Sequence, residues 1–281
     1  MQSLVDVPLN RQPMRRAIYR MLWWRPLKAV LEKLPLANRL YRGWQRIHPF
    51  DIEHGIEASG YMPADECARG SELAGQVNPY GGSQPSVVRA SLSLLPDLQR
   101  YAFVDLGCGK GRPLVVASEF PFQRVVGVEL APPLADIARE NARIVAAAYP
   151  DRTGIDIEVG DATMSTPPAD CVVYFLYNPF DETLIRKLIN RLELDLQGQL
   201  RHAFFVYYNP VHSAVLDQSK AFARWSAQTI PYATDELGYG PDIEDTVLIW
   251  QSLPPRYPSR IDAGRAVTVG PTGWTQLVDT R

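Results

Sequence analysis

Short apolar runs alternate with longer segments of helical periodicity through the middle of the chain. The runs, which we interpret as strands, are residues 101–106, 124–129, 155–159, 171–177, 202–208 and 245–251. The segments of helical period are 112–119, 132–148, 181–194 and 211–218. This alternation predicts an α/β domain whose mostly parallel sheet is covered by helices on both faces. No helical segment separates the last strand from the stretch between Pro231 and Pro241, so we expect that strand to insert antiparallel, as part of a hairpin.

The first fifty residues have a different pattern. Four apolar positions share one helical face: Leu27, Val30, Leu31 and Leu34. Between residues 11 and 47 the chain carries ten Lys and Arg against one acid, a local net charge of +9 in a protein whose overall charge is −2. Such an asymmetry indicates an anionic partner surface, either RNA or a membrane. The alternative is a helical cap that docks on the core with its arginines in solvent, and the sequence leaves both open.

Composition divides the chain into four parts. We expect a basic helical extension over 1–49, a linker with entry loops over 50–88, the core over 89–255 and a tail over 256–281. The three cysteines lie far apart without metal-ligand spacing, which argues against a disulfide framework and a metal site and favours a reduced cytoplasm. No run approaches the ~18 apolar residues of a membrane span. A peripheral position at the inner membrane face stays open through the basic extension.

The first core strand ends in a glycine-rich turn, Phe103-Val104-Asp105-Leu106-Gly107-Cys108-Gly109-Lys110-Gly111-Arg112. Glycines let a backbone turn sharply and approach a ligand without a Cβ in the way. The free N–H groups of the following helix face the same gap. The chain lacks the Lys-Ser/Thr ending of a phosphate-binding loop, and Arg112 stands where a dinucleotide site needs its third glycine. The turn therefore fits neither of these two nucleotide-binding patterns. Its own pattern is GxGxG, formed by the glycines at 107, 109 and 111, preceded by the acid Asp105.

Acids also follow the next two strands. Glu129 ends the second strand, 24 positions after Asp105. A carboxylate at this place can accept hydrogen bonds from both hydroxyls of a ribose; an acid at the N-terminus of the next helix is the alternative. The third strand ends in Gly160-Asp161-Ala162, a sequence that is also common in plain turns.

The fourth strand runs into Asn178-Pro179-Phe180. Open α/β sheets bind ligands outside the carboxyl ends of their strands, so these three residues lie at the ligand crevice. The tripeptide resembles motif IV of methyltransferases that act on nitrogen. The resemblance implies that the three residues are catalytic: a carbonyl of the Asn178 amide or of Pro179 would orient an amine lone pair, and Phe180 would wall or stack on the group that receives the methyl. The alternative for Asn178 is a cap on the helix that begins near Asp181.

These segments resemble class I S-adenosylmethionine-dependent methyltransferases over roughly residues 80–250. Among them they resemble most the bacterial relatives of the disruptor-of-telomeric-silencing (Dot-type) histone lysine methyltransferases. Two segments upstream of the glycine turn, 50–55 and 80–86, are similar to further parts of that group. The resemblance implies a Rossmann-like, doubly wound, mostly parallel seven-stranded sheet with an N-terminal helical extension.

The resemblance also implies S-adenosylmethionine as the cofactor. Glu129 would then bind its ribose, Asp161 its adenine, and Tyr80 would close over its methionine part. The expected cofactor-binding residues are Tyr80, Ser86, Asp105, Gly107, Cys108, Gly109, Gly111, Glu129, Leu130, Asp161, Ala162 and Asn178. The expected acceptor is a nitrogen, first a protein lysine. The alternatives are RNA, a small molecule, and a binding module without catalysis.

Overall fold

A seven-stranded sheet forms the centre of the computed structural model, which describes residues 12–31, 33–34, 46–198, 200–240, 242–261, 265–269 and 274–278. The strands in chain order are β1 (Ala102–Leu106), β2 (Arg124–Glu129), β3 (Ile155–Val159), β4 (Cys171–Tyr177), β5 (His202–Tyr208), β6 (Phe222–Pro231) and β7 (Glu244–Ser252). Their spatial order is β3-β2-β1-β4-β5-β7-β6. Neighbours from β3 to β5 pair in parallel, whereas β7 is antiparallel to both β5 and β6. The predicted mostly parallel sheet and the antiparallel last strand are confirmed.

The strand β6 is absent from the sequence-based set. It lies at the edge of the sheet and pairs only with β7, with a register shift between Arg224 and Ser226. An edge strand buries less of its surface, and in β6 pairs of half-buried residues interrupt the buried ones, so no single apolar run forms. The apolar pattern that reveals the central strands is therefore weak here.

Helices cover both faces of the sheet. Their bounds are α1 (Gln12–Leu22), α2 (Arg25–Leu31), α3 (Pro49–His54), α4 (Ala64–Cys67), α5 (Pro85–Ser93), α6 (Arg112–Ala117), α7 (Pro132–Ala148), α8 (Glu182–Gln197) and α9 (Ser213–Gln218). One apolar cluster joins α5, α6 and α7 to Phe103 of β1. A second cluster joins α8 and α9 to Val104 and Leu106 of the same strand. Successive residues of β1 thus face opposite sides, as a strand buried on both faces requires. A separate hairpin pairs β8 (Arg265–Val269) with β9 (Trp274–Val278).

Residues 50–88 pack as a wall of the core, which corrects the expected linker. Phe50 and Ala58 are buried in the same cluster as the sheet, and so is Val87 near the start of α5. Tyr61–Met62 pairs with Tyr80–Gly81 in a two-residue antiparallel ladder. The segment looked like a linker because its helices are short and rich in polar residues. Its Gly and Pro positions mark turns between these helices.

The N-terminal helix α1 lies against the segment after β6, and α2 contacts α1. Arg16 donates hydrogen bonds to the Thr234 hydroxyl and the Tyr232 carbonyl, both at 3.2 Å. The predicted common face of α2 is only partly covered, since Leu27 and Leu31 are half-buried while Val30 and Leu34 are exposed. The remainder of the predicted extension, residues 1–11, 32 and 35–45, lies outside the described residues. Within the described residues, every helix is too short or too polar to cross a bilayer.

Candidate functional site

A cavity opens at the carboxyl ends of β1, β2 and β4, where the strand order reverses. This is the place where doubly wound sheets bind ligands. The cavity encloses about 80 Å³ of space for water, and about 800 Å³ when its open mouth is included. Its lining includes most of the expected cofactor residues: Tyr80, Asp105, Gly107, Cys108, Gly109, Glu129, Leu130, Asp161 and Ala162.

The glycine turn brings the backbone against this cavity. Gly107 has φ 83° and Gly109 has φ 55°, a region that favours glycine. A Cβ on Gly107 would lie 2.7 Å from Pro179, and one on Gly109 would lie 2.3 Å from the Tyr80 ring. Gly111, also in the expected set, caps α6 and faces Ala138 of α7, and it lies outside the cavity lining. Its role is the close packing of two helices.

Two buried carboxylates face the cavity. One oxygen of Glu129 accepts from the Gly109 N–H at 2.7 Å and the other from the Ala131 N–H at 2.8 Å. The Oδ2 of Asp105 is buried and has no hydrogen-bond partner among the described residues. Burial raises the pKa of Asp105 well above its usual range, and the charge of Glu129 adds to the rise. Burial also raises the pKa of Glu129, which the N–H groups of Ala131 and Gly109 partly offset.

The cavity contains a cation that is already paired. Arg112 is the one basic residue among the described residues that line it. Its guanidinium donates to both oxygens of Asp51, at 2.9 and 2.7 Å, and to the Ser83 carbonyl at 2.9 Å. Arg112 and Asp51 are both buried, so this pair is shielded from water. The charge left to meet a ligand is therefore that of the two carboxylates.

The hydroxyl residue of the upstream loop is Ser83, not the expected Ser86. The backbone N–H and the hydroxyl of Ser86 both donate to the Glu236 carboxylate, and Ser86 does not line the cavity. Ser83 lines it, and its Oγ is buried without a partner in the described part of the chain. Both serines belong to the loop that the resemblance indicates, and its sequence does not show which of them faces inward.

The Tyr80 side chain lies over the glycine turn. Its ring packs on Gly109, and its hydroxyl donates to the Ala58 carbonyl at 2.6 Å. The Lys110 ammonium lies 5.8 Å from the ring centroid. Burial raises the pKa of Tyr80, so the phenol stays neutral. The ring therefore fills space above the turn and is held by one hydrogen bond.

Asp161 has local partners at the end of β3. Its Oδ1 accepts from the N–H and the hydroxyl of Thr163, at 2.8 and 2.7 Å, and its Oδ2 accepts from Lys187 at 3.0 Å. Burial tends to raise its pKa, but the bonds from Thr163 and Lys187 outweigh this and lower it. The turn that the sequence left as an alternative is present, and Asp161 and Ala162 both line the cavity.

Asn178, Pro179 and Phe180 separate the first cavity from a second. Pro179 and Phe180 line the first, whereas Asn178 lines the second, which measures about 700 Å³. The helix cap is not Asn178 but Asp181, whose carboxylate accepts from the Leu184 N–H. The second cavity shares a wall with the first and carries no charged residue among those described; its lining is Tyr61, Asn78, Pro79, Tyr80, Gly81, Gly82, Tyr177, Asn178, Asn209, Tyr239 and Gly240.

The carbonyl groups expected to orient an amine already have partners. Asn78 donates its amide to the Asn178 carbonyl at 2.8 Å and its backbone N–H to the Pro179 carbonyl at 2.9 Å. The side-chain oxygen of Asn178 accepts from the Tyr207 hydroxyl at 3.0 Å. These bonds hold the turn in place, and they leave its carbonyl oxygens with fewer lone pairs to accept hydrogen bonds from a ligand.

A second asparagine of the same kind was missed in the sequence. The tripeptide Tyr-Asn-Pro occurs at 177–179 and again at 208–210, after the adjacent parallel strands β4 and β5. Tyr177 and Tyr208 are register partners, with ring centroids 4.2 Å apart. Asn178 (φ 44°) and Asn209 (φ 51°) both adopt the left-handed conformation and line the second cavity. The Oδ1 of Asn209 is buried and unpartnered among the described residues. The repeated tripeptide was the signal available.

An acid lies behind this pair of tyrosines. Tyr208 donates to Asp245 at 2.6 Å, and Tyr232 donates to the same oxygen. Burial raises the pKa of Asp245 to about 7, against the opposing effect of the two phenol hydrogen bonds. Asp245 therefore changes charge near neutral pH.

No protein-family model and no curated protein matches the chain. Solved structures do: TrmN from Thermus thermophilus has 17% identity and a TM-score of 0.43 over 60% of this chain. The RNA methyltransferase from Salinibacter ruber, solved with S-adenosyl-L-homocysteine, has 23% identity and a TM-score of 0.37, covering 63% of this chain and 95% of that one. The mitomycin 7-O-methyltransferase MmcR has 17% identity and a TM-score of 0.40, covering 59% and 53%. The chain spans 49% of the Thermus structure, about half its length. At these identities the likeness concerns the fold alone.

Proposed function

We propose that the chain is an S-adenosylmethionine-dependent methyltransferase of class I type. The observation that carries this proposal is the pair of buried carboxylates, Asp105 and Glu129, beside a glycine turn. Buried acids without a cationic partner favour a cationic ligand and disfavour phosphate. Of the ligands that bind glycine turns after a first strand, S-adenosylmethionine is the one with a sulfonium and an ammonium group in place of phosphates. When bound, this cofactor supplies an activated methyl group.

The residues present fit this cofactor. The unpartnered Oδ2 of Asp105 is an acceptor for an ammonium donor. Each oxygen of Glu129 accepts one backbone N–H and keeps a lone pair for a ribose hydroxyl. Leu130 and Ala162 supply apolar walls suited to a base, and Asp161 lies beside Ala162.

Entry of the cofactor requires Tyr80 to move. About 80 Å³ of enclosed space is room for only a few waters. Tyr80 fills the region above Gly109 and is held by one hydrogen bond and a two-residue ladder. We therefore propose Tyr80 as a gate that opens for binding and then closes over the cavity.

The acceptor would bind in the second cavity. Its neutral lining favours a nitrogen that arrives uncharged, with its lone pair free to attack the methyl group. Since the Asn178 oxygen is bonded to Tyr207, the free acceptor is the Oδ1 of Asn209. We propose that Asn209 accepts an N–H of the acceptor while Asn178, Pro179 and Phe180 form the partition past which the methyl group is delivered. A lysine-type protein amine is the first candidate, on the resemblance to the Dot-type enzymes.

Two measurements test this function. Calorimetric titration with S-adenosylmethionine should show one site, and absence of binding would overturn the proposal. Incubation of separated protein, RNA and small-molecule fractions with methyl-labelled cofactor then identifies the acceptor. Label in methyl-lysine supports the protein amine, and label in RNA or a small molecule moves the acceptor to that class. Intact cofactor binding with no label in any fraction identifies a binding module without catalysis.

A further inference from the structure

Helix α1 has two opposite faces with different environments. One face docks on the protein: the Trp23 indole, just beyond the helix end, is buried, and the Tyr19 ring lies 5.0 Å from it and packs on Gly238. Arg16 on the same side bonds Tyr232 and Thr234. These contacts fix the rotation of the helix about its axis, so the other face is held outward.

The outward face is apolar. Met14 is 59% exposed, Ile18 45% and Met21 58%. At 3.6 residues per turn, these three positions fall within an arc of about 60°, directly opposite the docked face. Trp24, at the end of the helix, is 64% exposed. Single exposed apolar residues are ordinary, but an aligned stripe on a helix of fixed orientation is typical of a docking surface.

Basic residues flank the stripe. Arg15 and Arg20 are exposed and lie on either side of it, each about 100–120° around the helix. Lys28 and Lys33 follow in the next turn and beyond it. Neither helix sequence contains an acid. An apolar stripe bordered by cations is the pattern of a helix that lies in the plane of a membrane interface, with its arginine stems reaching up to the headgroups.

We propose that α1 docks this chain on an anionic lipid bilayer, with Met14, Ile18 and Met21 inserted among the acyl chains. The cations supply charge complementarity to acidic headgroups, which attract each nearby Lys or Arg. RNA would satisfy the arginines but would leave the apolar stripe in water, so it explains only half of the surface. The inference stands on the helix and is independent of the proposed methyl transfer.

The segment on which α1 docks leads directly into the second cavity. The segment that receives α1 runs from Tyr232 to Gly238, and the next two residues, Tyr239 and Gly240, line that cavity. Arg46 joins the same platform, donating to the Gly238 carbonyl at 2.7 Å. A bilayer held by α1 would therefore lie near one wall of the proposed acceptor site.

Vesicle flotation of the full chain tests the docking. The protein should float with vesicles of phosphatidylcholine and phosphatidylglycerol, and at least about tenfold less with phosphatidylcholine alone. Replacing Met14, Ile18 and Met21 together by Ser should lower binding to the anionic vesicles at least about tenfold. The control replaces two exposed apolar residues elsewhere, Ile52 and Leu194, by Ser and should bind as the parent does.

Charge reversal provides the second variant. Arg15→Glu with Arg20→Glu should abolish binding to anionic vesicles, whereas Arg143→Glu with Arg186→Glu, on α7 and α8, should not. Circular dichroism and thermal unfolding check that each variant is folded. Equal flotation of parent and Met14/Ile18/Met21 variant would overturn the proposal. So would the absence of vesicle binding together with salt-dependent RNA binding, or together with self-association through the stripe.

Discussion

The two cavities that meet at Tyr80 differ in charge. The first presents the carboxylates Asp105 and Glu129, with its only described cation, Arg112, already paired. The second presents amides, phenols and backbone, without a charged residue among those described. A cationic cofactor needs the first environment, and a nitrogen that must keep its lone pair needs the second. Our proposal that the first cavity holds the cofactor and the second holds the acceptor rests on this contrast, and four predictions test it.

The largest effect is expected from Glu129→Gln. The change removes the negative charge. It also turns one of the two acceptor oxygens into an NH₂ donor, which then faces a backbone N–H without accepting from it. Since a hydrogen bond to a charged group contributes about 1.5–3 kcal/mol, affinity for S-adenosylmethionine should fall about 100-fold. Calorimetry measures this, with Glu158→Gln, an exposed acid on β3, as the control. Equal affinity of the two variants would mean that the first cavity does not hold the cofactor.

The second effect concerns Asn209 and Asn178. Glycine keeps the left-handed backbone and removes only the amide, so Asn209→Gly and Asn178→Gly should each lower turnover about 10–100-fold through lost orientation. Cofactor affinity should stay within about twofold, because neither residue lines the first cavity. Asn209→Asp keeps an acceptor oxygen and should retain more turnover than Asn209→Gly. The exposed Asn190→Ala serves as control. If cofactor affinity fell as much as turnover did, the two cavities would act as a single binding site, which would contradict the proposed separation of cofactor and acceptor.

A smaller effect is expected from pH. The pKa values of Asp105 and Glu129 are raised in the free protein, so part of the population is protonated at pH values above the ordinary carboxyl range. A cation binds the ionised form, and affinity should therefore rise with pH above the ordinary carboxyl range, with protons released on binding. Calorimetry in buffers of different ionisation enthalpy detects the release. Asp105→Asn should flatten the rise, and an affinity that falls with pH would contradict it.

The smallest effect is on stability and concerns Asp245, the hydrogen-bond partner of Tyr208 and Tyr232. The pKa of Asp245 is raised to about 7, so the folded state holds this proton more tightly than the unfolded chain. The stability that the protonated group contributes is complete below about pH 4 and is lost as pH rises through about 7. The melting temperature of the parent should therefore fall, relative to that of Asp245→Asn, as the pH rises from about 4 to about 7. Parallel profiles would show that Asp245 titrates normally.

The sheet could be predicted because central strands carry their own signal. Strands such as Cys171–Tyr177 are buried on both faces and therefore appear as unbroken apolar runs. The edge strand β6 and the short helices before residue 85 depend on partners far along the chain, which a local pattern does not contain. The glycine turn and Glu129 were recognised because their spacing is fixed by the strand-turn-helix geometry itself.

Other parts of the site depended on facts that spacing cannot supply. Gly111 belongs to the same motif as Gly107, yet its missing Cβ faces a helix and not the cavity. Ser83 and Ser86 lie three positions apart, and only the fold shows which one faces inward. Asn209 is different, since the repeated tripeptide was visible; its meaning required knowing that β4 and β5 are neighbours in register.

The buried contact between Asp51 and Arg112 has a consequence for dissecting the protein. It joins the first turn of α3 to the residue that starts α6, 61 positions later in the chain. A fragment that begins at the sheet would leave the guanidinium inside the protein without its counter-charge, a loss that typically costs about 3–5 kcal/mol. Truncations meant to isolate the smallest working unit should therefore retain α3, even though it contributes no strand and none of the residues that line either cavity.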